Sequence, residues 1–283
     1  MTAPALDAIR RTFAEEIRAV ANIESAALFD AFARVPREHF LGPGPWQIGL
    51  PHDPDRKYRV TPDDDPRHVY HDVLVALDPA RELNNGQPSA LARWIEAAAI
   101  MPGETVLHVG CGVGYYTAIM AELVGPAGRV VGYEIDPGLA ARARDLLAPW
   151  PQIIVEASDG AAPAGVFDAI FINAGATHVL PGWIAALRPG GRMIVPLTVH
   201  MPDQVSGVGA MLRVDQHDGR WPVRIVSSLG IYDCTSARDP ANEALLLALM
   251  RSGQAREIRA LVIEPHDAGP DCLAHIPGSC LQR

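Results

Sequence analysis

The stretch from about residue 88 to residue 197 constrains the fold more than any other part of the chain. Short apolar runs at Thr105–Gly110, Arg129–Ile135, Ile153–Ser158, Phe167–Asn173 and Arg192–Leu197 alternate with helical patterns at Tyr115–Val124, Gly138–Leu147 and Pro181–Leu187. Runs apolar throughout read as strands covered on both faces, and strands joined by helix-length crossovers run parallel. Right-handed crossovers then give a doubly wound, Rossmann-like α/β sheet. After Pro196 the alternation stops, and Ala210–Val214 and Val223–Ser228 flank Asp218-Gly219, a hairpin signal. The predicted architecture is therefore α/β: a mostly parallel sheet with a C-terminal antiparallel hairpin, N-terminal helices and a C-terminal extension.

Three segments follow from this reading: N-terminal helices and a proline-rich flap over 1–87, a core over 88–235, and an extension over 236–283. In the first, Leu6, Ile9, Phe13, Ile17 and Val20 recur at helical spacing, and a second helical stretch covers Ser25–Val35. Between Pro36 and Pro79 eight prolines and the Asp63-Asp64-Asp65 turn argue against long regular elements, so a partly ordered flap beside a site is expected. In the extension, Glu243–Arg251 reads as a short helix and Glu257–Glu264 as a strand. The residues through Cys272 and Cys280 read as irregular.

Composition narrows the class. With 24 Lys+Arg against 33 Asp+Glu the chain carries a formal charge of −9, which disfavours a nucleic-acid partner. An apolar share of 48% argues against disorder. No apolar run approaches a membrane span, Met1–Asp7 lacks a secretory signal's features, and the four cysteines are too scattered for a disulfide scaffold. A cytoplasmic protein with reduced thiols is expected, with no membrane partner.

The chemical signal is the strand-to-helix run Val106-Leu107-His108-Val109-Gly110-Cys111-Gly112-Val113-Gly114-Tyr115. Glycines at the carboxyl end of a strand let a ligand approach the backbone. The third glycine comes one position too early for a pyrophosphate-binding loop, so G-x-G-x-G suits a nucleoside without one, such as S-adenosylmethionine; a purely structural turn is the alternative. Glu134 ends the next strand 20 residues after Gly114, where a carboxylate can accept from ribose hydroxyls. Asp159-Gly160 follows the third strand, within reach of an adenine amino group, and Asn173-Ala174 ends the fourth.

With Phe167-Asp168 and Arg188-Pro189-Gly190-Gly191, these residues resemble the class I S-adenosylmethionine-dependent methyltransferases, and among them the protein-L-isoaspartate O-methyltransferase group. Arg34-Val35-Pro36-Arg37-Glu38-His39-Phe40, Val69-Tyr70-His71-Asp72 and Gly86-Gln87-Pro88 are similar to further segments of that group, over about residues 5–235 apart from an enlarged 45–68 loop. The resemblance implies S-adenosylmethionine as cofactor, held by His108, Gly110, Cys111, Gly112, Gly114, Tyr115, Glu134, Ile135, Asp159, Gly160 and Asn173. It also implies a carboxylate acceptor in a peptide, protein or small acid. Two positions depart from the group: Gly86 stands where it has a serine that contacts the reacting carboxylate, and His108 stands where it has a glutamate.

A carboxylate is ionised at neutral pH and needs donors to orient it, not a base. Asn84, Asn85, Gln87, Ser89 and the amides near Gly86 offer such donors; the alternative is a turn chosen for Asn-Gly geometry. A hydroxyl or amine acceptor would instead need a base, for which His178 is best placed, His71 next, then His39, His52, His68, His108 and His200. Tyr232-Asp233 is a candidate border of the substrate mouth. Asn173-Ala174-Gly175-Ala176 lacks the aromatic signature of nucleic-acid methylation. Cys272, His275 and Cys280 lack the paired spacing of a zinc site, so no metal is expected.

Overall fold

The computed structural model describes residues 3–50, 57–201 and 206–283; His52 lies outside them. Helices α1 (Ala3–Ala21) and α2 (Ala26–Arg34) bury Phe13, Ile17, Leu28 and Phe32, and Ser25 caps α2 by accepting from the Leu28 amide. The short α3 (Arg37–Leu41) follows. The proline-rich segment is more regular than expected. Its described residues form β1 (Gln47–Gly49), β2 (Arg59–Val60), β3 (Leu74–Asp78) and β4 (Leu83–Asn84), an antiparallel sheet in the order β2-β1-β3-β4. The prolines keep the strands short; they do not prevent pairing.

Helix α4 (Pro88–Ala98) takes proline at its first turn and buries Leu91, Trp94, Ile95 and Ala98. The core then runs β5 (Thr105–Val109), α5 (Tyr115–Val124), β6 (Arg129–Tyr133), α6 (Pro137–Leu146), β7 (Ile153–Glu156), β8 (Phe167–Ile172), α7 (Pro181–Ala186) and β9 (Leu187–Val199). The hairpin β10 (Gly207–Asp215) and β11 (Val223–Ile231) completes a seven-stranded sheet, order β11-β10-β9-β8-β5-β6-β7. Strands β9, β8, β5, β6 and β7 are parallel; β10 and β11 are antiparallel. Strand β9 starts five residues before the expected Arg192, because a register shift after Phe167 absorbs Arg188–Gly191 into the ladder. From β5 the chain winds one way through β6 to β7, then returns beside β5 as β8. That reversal opens a crevice at the strands' carboxyl ends.

The extension comprises α8 (Pro240–Ser252), β12 (Ala260–Val262), β13 (Cys272–Ala274) and β14 (Cys280–Gln282). Its last three strands pair in the order β12-β14-β13, so the tail expected to be irregular is a small sheet. Three-residue strands carry too little periodicity to show in sequence. One face of the large sheet packs against α4 and α5, and α1 and α2 lie in turn on those helices. The other face buries Trp183, Leu246, Leu249, Leu261, Ile276 and Leu281 in a single cluster with Leu107, Ile170 and Val195, so the extension shares the core of the sheet. No helix among the described residues is long and apolar enough to cross a membrane.

Candidate active site

The glycine loop closes the carboxyl end of β5. Gly110, Gly112 and Gly114 have φ of +75°, +56° and +95°, which side chains other than glycine rarely tolerate. A Cβ on Gly114 would lie 2.6 Å from Leu147 Cδ1, whereas one on Gly112 would meet nothing within 4 Å. The loop is thus packed behind and open in front. The Gly112 amide donates to Glu134 Oε2 at 2.8 Å, and the Asp136 amide donates to Oε1 at 3.0 Å. Each oxygen of this buried carboxylate keeps a further lone pair for a ligand. Asp136 in turn caps α6 through the Leu139 and Gly138 amides and pairs with Arg81, which together hold its carboxyl below the ordinary range.

Ile135 beside it is 57% exposed, an apolar face next to the carboxylate. Gly160 sits where a Cβ would press on Val109 at 2.7 Å, and Asp159 accepts from the Ala161 amide and the Ser236 hydroxyl. Asn173 binds the loop through its own amide, to the Val109 carbonyl, and through Nδ2, to the Gly110 carbonyl. These residues line one rim.

Three expected cofactor contacts point elsewhere. His108 is fully buried, bonded to Thr117 Oγ1 at 2.9 Å and edge-on to Phe171. Alternation along β5 turns it to the α5 side, and burial pushes its pKa down to about 3. The Tyr115 ring is buried against Phe32, Phe40 and Tyr116, so only its backbone faces the loop. The Cys111 thiol is buried facing Gly132, and burial raises its pKa strongly.

On the opposite rim, most of the expected donors are engaged within the protein. Asn84 Oδ1 accepts from the Gly86 amide, and Asn84 Nδ2 donates to the Tyr232 hydroxyl. Gln87 Nε2 donates to Asp72 and to Ser89 Oγ, and Ser89 gives Asp72 both its amide and its hydroxyl. Asn85 Nδ2, buried, has no partner. The Tyr116 hydroxyl donates to the Gly86 carbonyl, and Tyr232 donates to the Glu82 carbonyl, so residues from three distant segments tie down this turn.

Asp72 enters the sequence reading only as the end of the Val69–Asp72 segment, not as a site residue. Its signal was indirect: Gln87 makes no capping bond, so the α4 amides needed an acceptor from elsewhere. Arg37 is a second such residue. Its buried guanidinium donates to the carbonyls of Val69, His71 and Val73 at 2.6–2.8 Å, shaping the loop that presents Asp72.

The histidines are dispersed. His178 bonds Thr177 Oγ1, faces Asp239 of the extension, and is held below its ordinary pKa by burial, against the pull of Asp239. His71 pairs with Glu16, His68 with Asp63, His39 with the Leu146 carbonyl, and His200 with Asp233 and Glu243. None of these five hydrogen-bonds the turn at 84–89.

A doubly wound sheet with a glycine loop, an acidic β6 terminus and a crevice at the strand reversal defines a nucleoside-binding transferase architecture. The profile of protein-L-isoaspartate(D-aspartate) O-methyltransferase (PCMT) matches residues 56–218, and the chain belongs to that family. It is an S-adenosylmethionine-dependent methyltransferase. Curated relatives named protein-L-isoaspartate O-methyltransferase include one from Ignicoccus hospitalis, 36% identical over 46% of this chain and 64% of its own length. Another, from Anaeromyxobacter dehalogenans, is 40% identical over 50% of this chain and 69% of its own. A solved protein-L-isoaspartate O-methyltransferase has the same fold at TM-score 0.65, 22% identical and covering 86% of this chain and 69% of that one. A putative Plasmodium falciparum enzyme in complex with S-adenosyl-L-homocysteine matches at TM-score 0.60 and 15% identity, over 80% and 97%.

The residues fit the cofactor: an open backbone cradle, a buried carboxylate with lone pairs to spare and an exposed apolar side chain stand together.

Proposed function

We propose that this enzyme methylates a carboxylate of a peptide, with isoaspartyl residues as the first candidate, and that the turn at 84–89 orients the acceptor. The observation that carries this is the buried, unpartnered Asn85 side-chain amide, while the side chains of Asn84, Gln87 and Ser89 are engaged by the turn's internal bonds. Bound S-adenosylmethionine supplies an electrophilic methyl. Gly110–Gly114 and Glu134 would hold its amino-acid and ribose portions, and Ile135 and Asp159 its base. The protein's task at the reacting centre is to orient an anion already charged at neutral pH and to exclude water. The dispersed histidines agree with this, since a carboxylate needs no base.

Gly86 bears on the acceptor. Its φ is +75°, and a side chain there would meet Leu91 Cδ2 at 3.0 Å, so a serine here would strain the left-handed backbone and crowd Leu91. Asn85 is the donor that takes the serine's part in this reading. The enzyme should be incubated with methyl-labelled S-adenosylmethionine and three acceptors: an isoaspartyl peptide, its aspartyl isomer and a free dicarboxylic acid. Base-labile label on the isoaspartyl peptide is expected. Base-stable label, or label on none of the three, would overturn the reading.

A further inference from the structure

The C-terminal sheet gathers four metal-binding side chains that the methyltransferase site does not use. Cys272 lies opposite Gln282 across β13 and β14, and Cys280 stands two residues before Gln282 on the same strand. The loop before β13 adds His266 and the turn after it adds His275. One ligand atom from each of the four lies within 4.8 Å of all the others. His266 Nε2 is 3.6 Å from Cys272 Sγ, and the His266 and His275 rings meet edge to face at 4.9 Å.

The surroundings orient these atoms. His266 Nδ1 bonds the Glu264 carbonyl at 2.9 Å, which assigns the proton to Nδ1 and leaves the Nε2 lone pair to the cluster. Cys272 Sγ accepts from the Gly269 amide at 3.4 Å and from Gln282 Nε2 at 3.5 Å, the kind of support a metal-bound thiolate receives. Gln282 Nε2 also lies 3.3 Å from His266 Nε2, a contact an ion would displace. Independently, His275 Nδ1 is buried with no hydrogen-bond partner, so a ring nitrogen out of reach of water has nothing in the protein to bind.

We propose that His266, Cys272, His275 and Cys280 form a tetrahedral Cys2His2 site for a structural zinc ion. Two thiolates and two imidazoles are a zinc-selective set, and four protein ligands leave no open position, as in a structural site. Around zinc the donor atoms would stand about 3.3–3.8 Å apart, so the cluster closes by about 1 Å on binding. Each cysteine releases its proton to solvent as its sulfur binds.

The site would pin loops that no regular element holds. It also reaches the loop after β8, because Ser279, next to Cys280, accepts from the Val179 amide at 2.9 Å. The sequence spacing gave no sign of this set because His266 is six residues from the nearest cysteine and the pairing of β13 with β14 is what completes it.

The full chain should be expressed with added zinc, purified without chelator, and its metal measured by plasma mass spectrometry. About one zinc per chain is expected, falling about fivefold or more in Cys272→Ser, Cys280→Ser, His266→Ala and His275→Ala. Should these variants not fold, the wild type still answers. Titrating its thiols with a mercurial should release the zinc, and cobalt(II) in its place should give a thiolate-to-cobalt charge-transfer band. Folded wild-type protein without zinc, a Cys272–Cys280 disulfide in non-reducing peptide mapping, or zinc unchanged in folded variants would each overturn the proposal. Metal content is read without any acceptor, so this result is separate from that of the methyl-transfer assay.

Discussion

The two rims of the crevice are built on different scales. The nucleoside rim comes mostly from strand–loop–helix units next to one another in the sequence, its Gly112–Glu134 bond spanning 22 positions, with Asn173 and Ser236 adding bonds to Gly110 and Asp159 across 63 and 77. The acceptor rim is assembled from far apart: Arg37 reaches 32 to 36 positions to the loop around Asp72, and Asn84 reaches 148 to Tyr232. A grip made by a local unit survives change elsewhere, whereas a turn held by distant partners takes its shape from the whole fold. The acceptor side is therefore the one that can be re-specified while the cofactor stays the same.

The largest effect that tests this division comes from Arg37→Met, which leaves three carbonyls without their donor. Stability should fall by about 3 kcal/mol or more in urea unfolding. The folded fraction should bind cofactor normally and transfer poorly; an equal loss of cofactor affinity would erase the distinction between the rims. Gly114→Ala strikes the other side, where the left-handed backbone and Leu147 oppose a methyl group. A loss of about 2 kcal/mol in cofactor affinity is expected, read by calorimetry.

Glu134→Ala and Asn85→Ala sharpen the contrast as a pair. The first should weaken cofactor binding by about 1–3 kcal/mol. The second should raise the acceptor KM about fivefold, or about 1 kcal/mol, and leave the cofactor Kd alone. If both move the same constant, the rims are one site.

A further effect concerns pH. His108 has a folded pKa of about 3 against an ordinary 6.5, so it binds its proton more readily when unfolded. Its contribution is intact above pH 6.5 and is lost as pH falls from there toward 3, by at most about 1.4 kcal/mol per pH unit. His108→Gln should flatten the decline in Tm between pH 7 and 5; an unchanged slope would remove His108 as its source.

Much of the nucleoside rim was legible because each of its strands declares itself locally. The runs at Arg129, Ile153 and Phe167 end within two residues of the observed strands. Face was harder than position. His108 and Tyr115 were read with the loop because they sit in it, although the period of β5 and the packing of α5 turn their side chains to the α5 side and the N-terminal helices. On the acceptor rim the polar residues were visible, but not what they bind. Nothing near Gln87 or Ser89 in sequence names Asp72, and nothing near Asn84 names Tyr232. The strands β1 to β4 and β12 to β14 are hidden for a different reason, being too short to show a period.

The Gly112 amide on Glu134 has a consequence for turnover. In the proposed binding mode these groups would grip the sugar and amino-acid ends of the ligand and leave its sulfur alone, so the spent thioether should leave no faster than the sulfonium it replaces. Such an enzyme would stall on its own by-product, and its pace in the cell would be set by whatever hydrolyses that by-product.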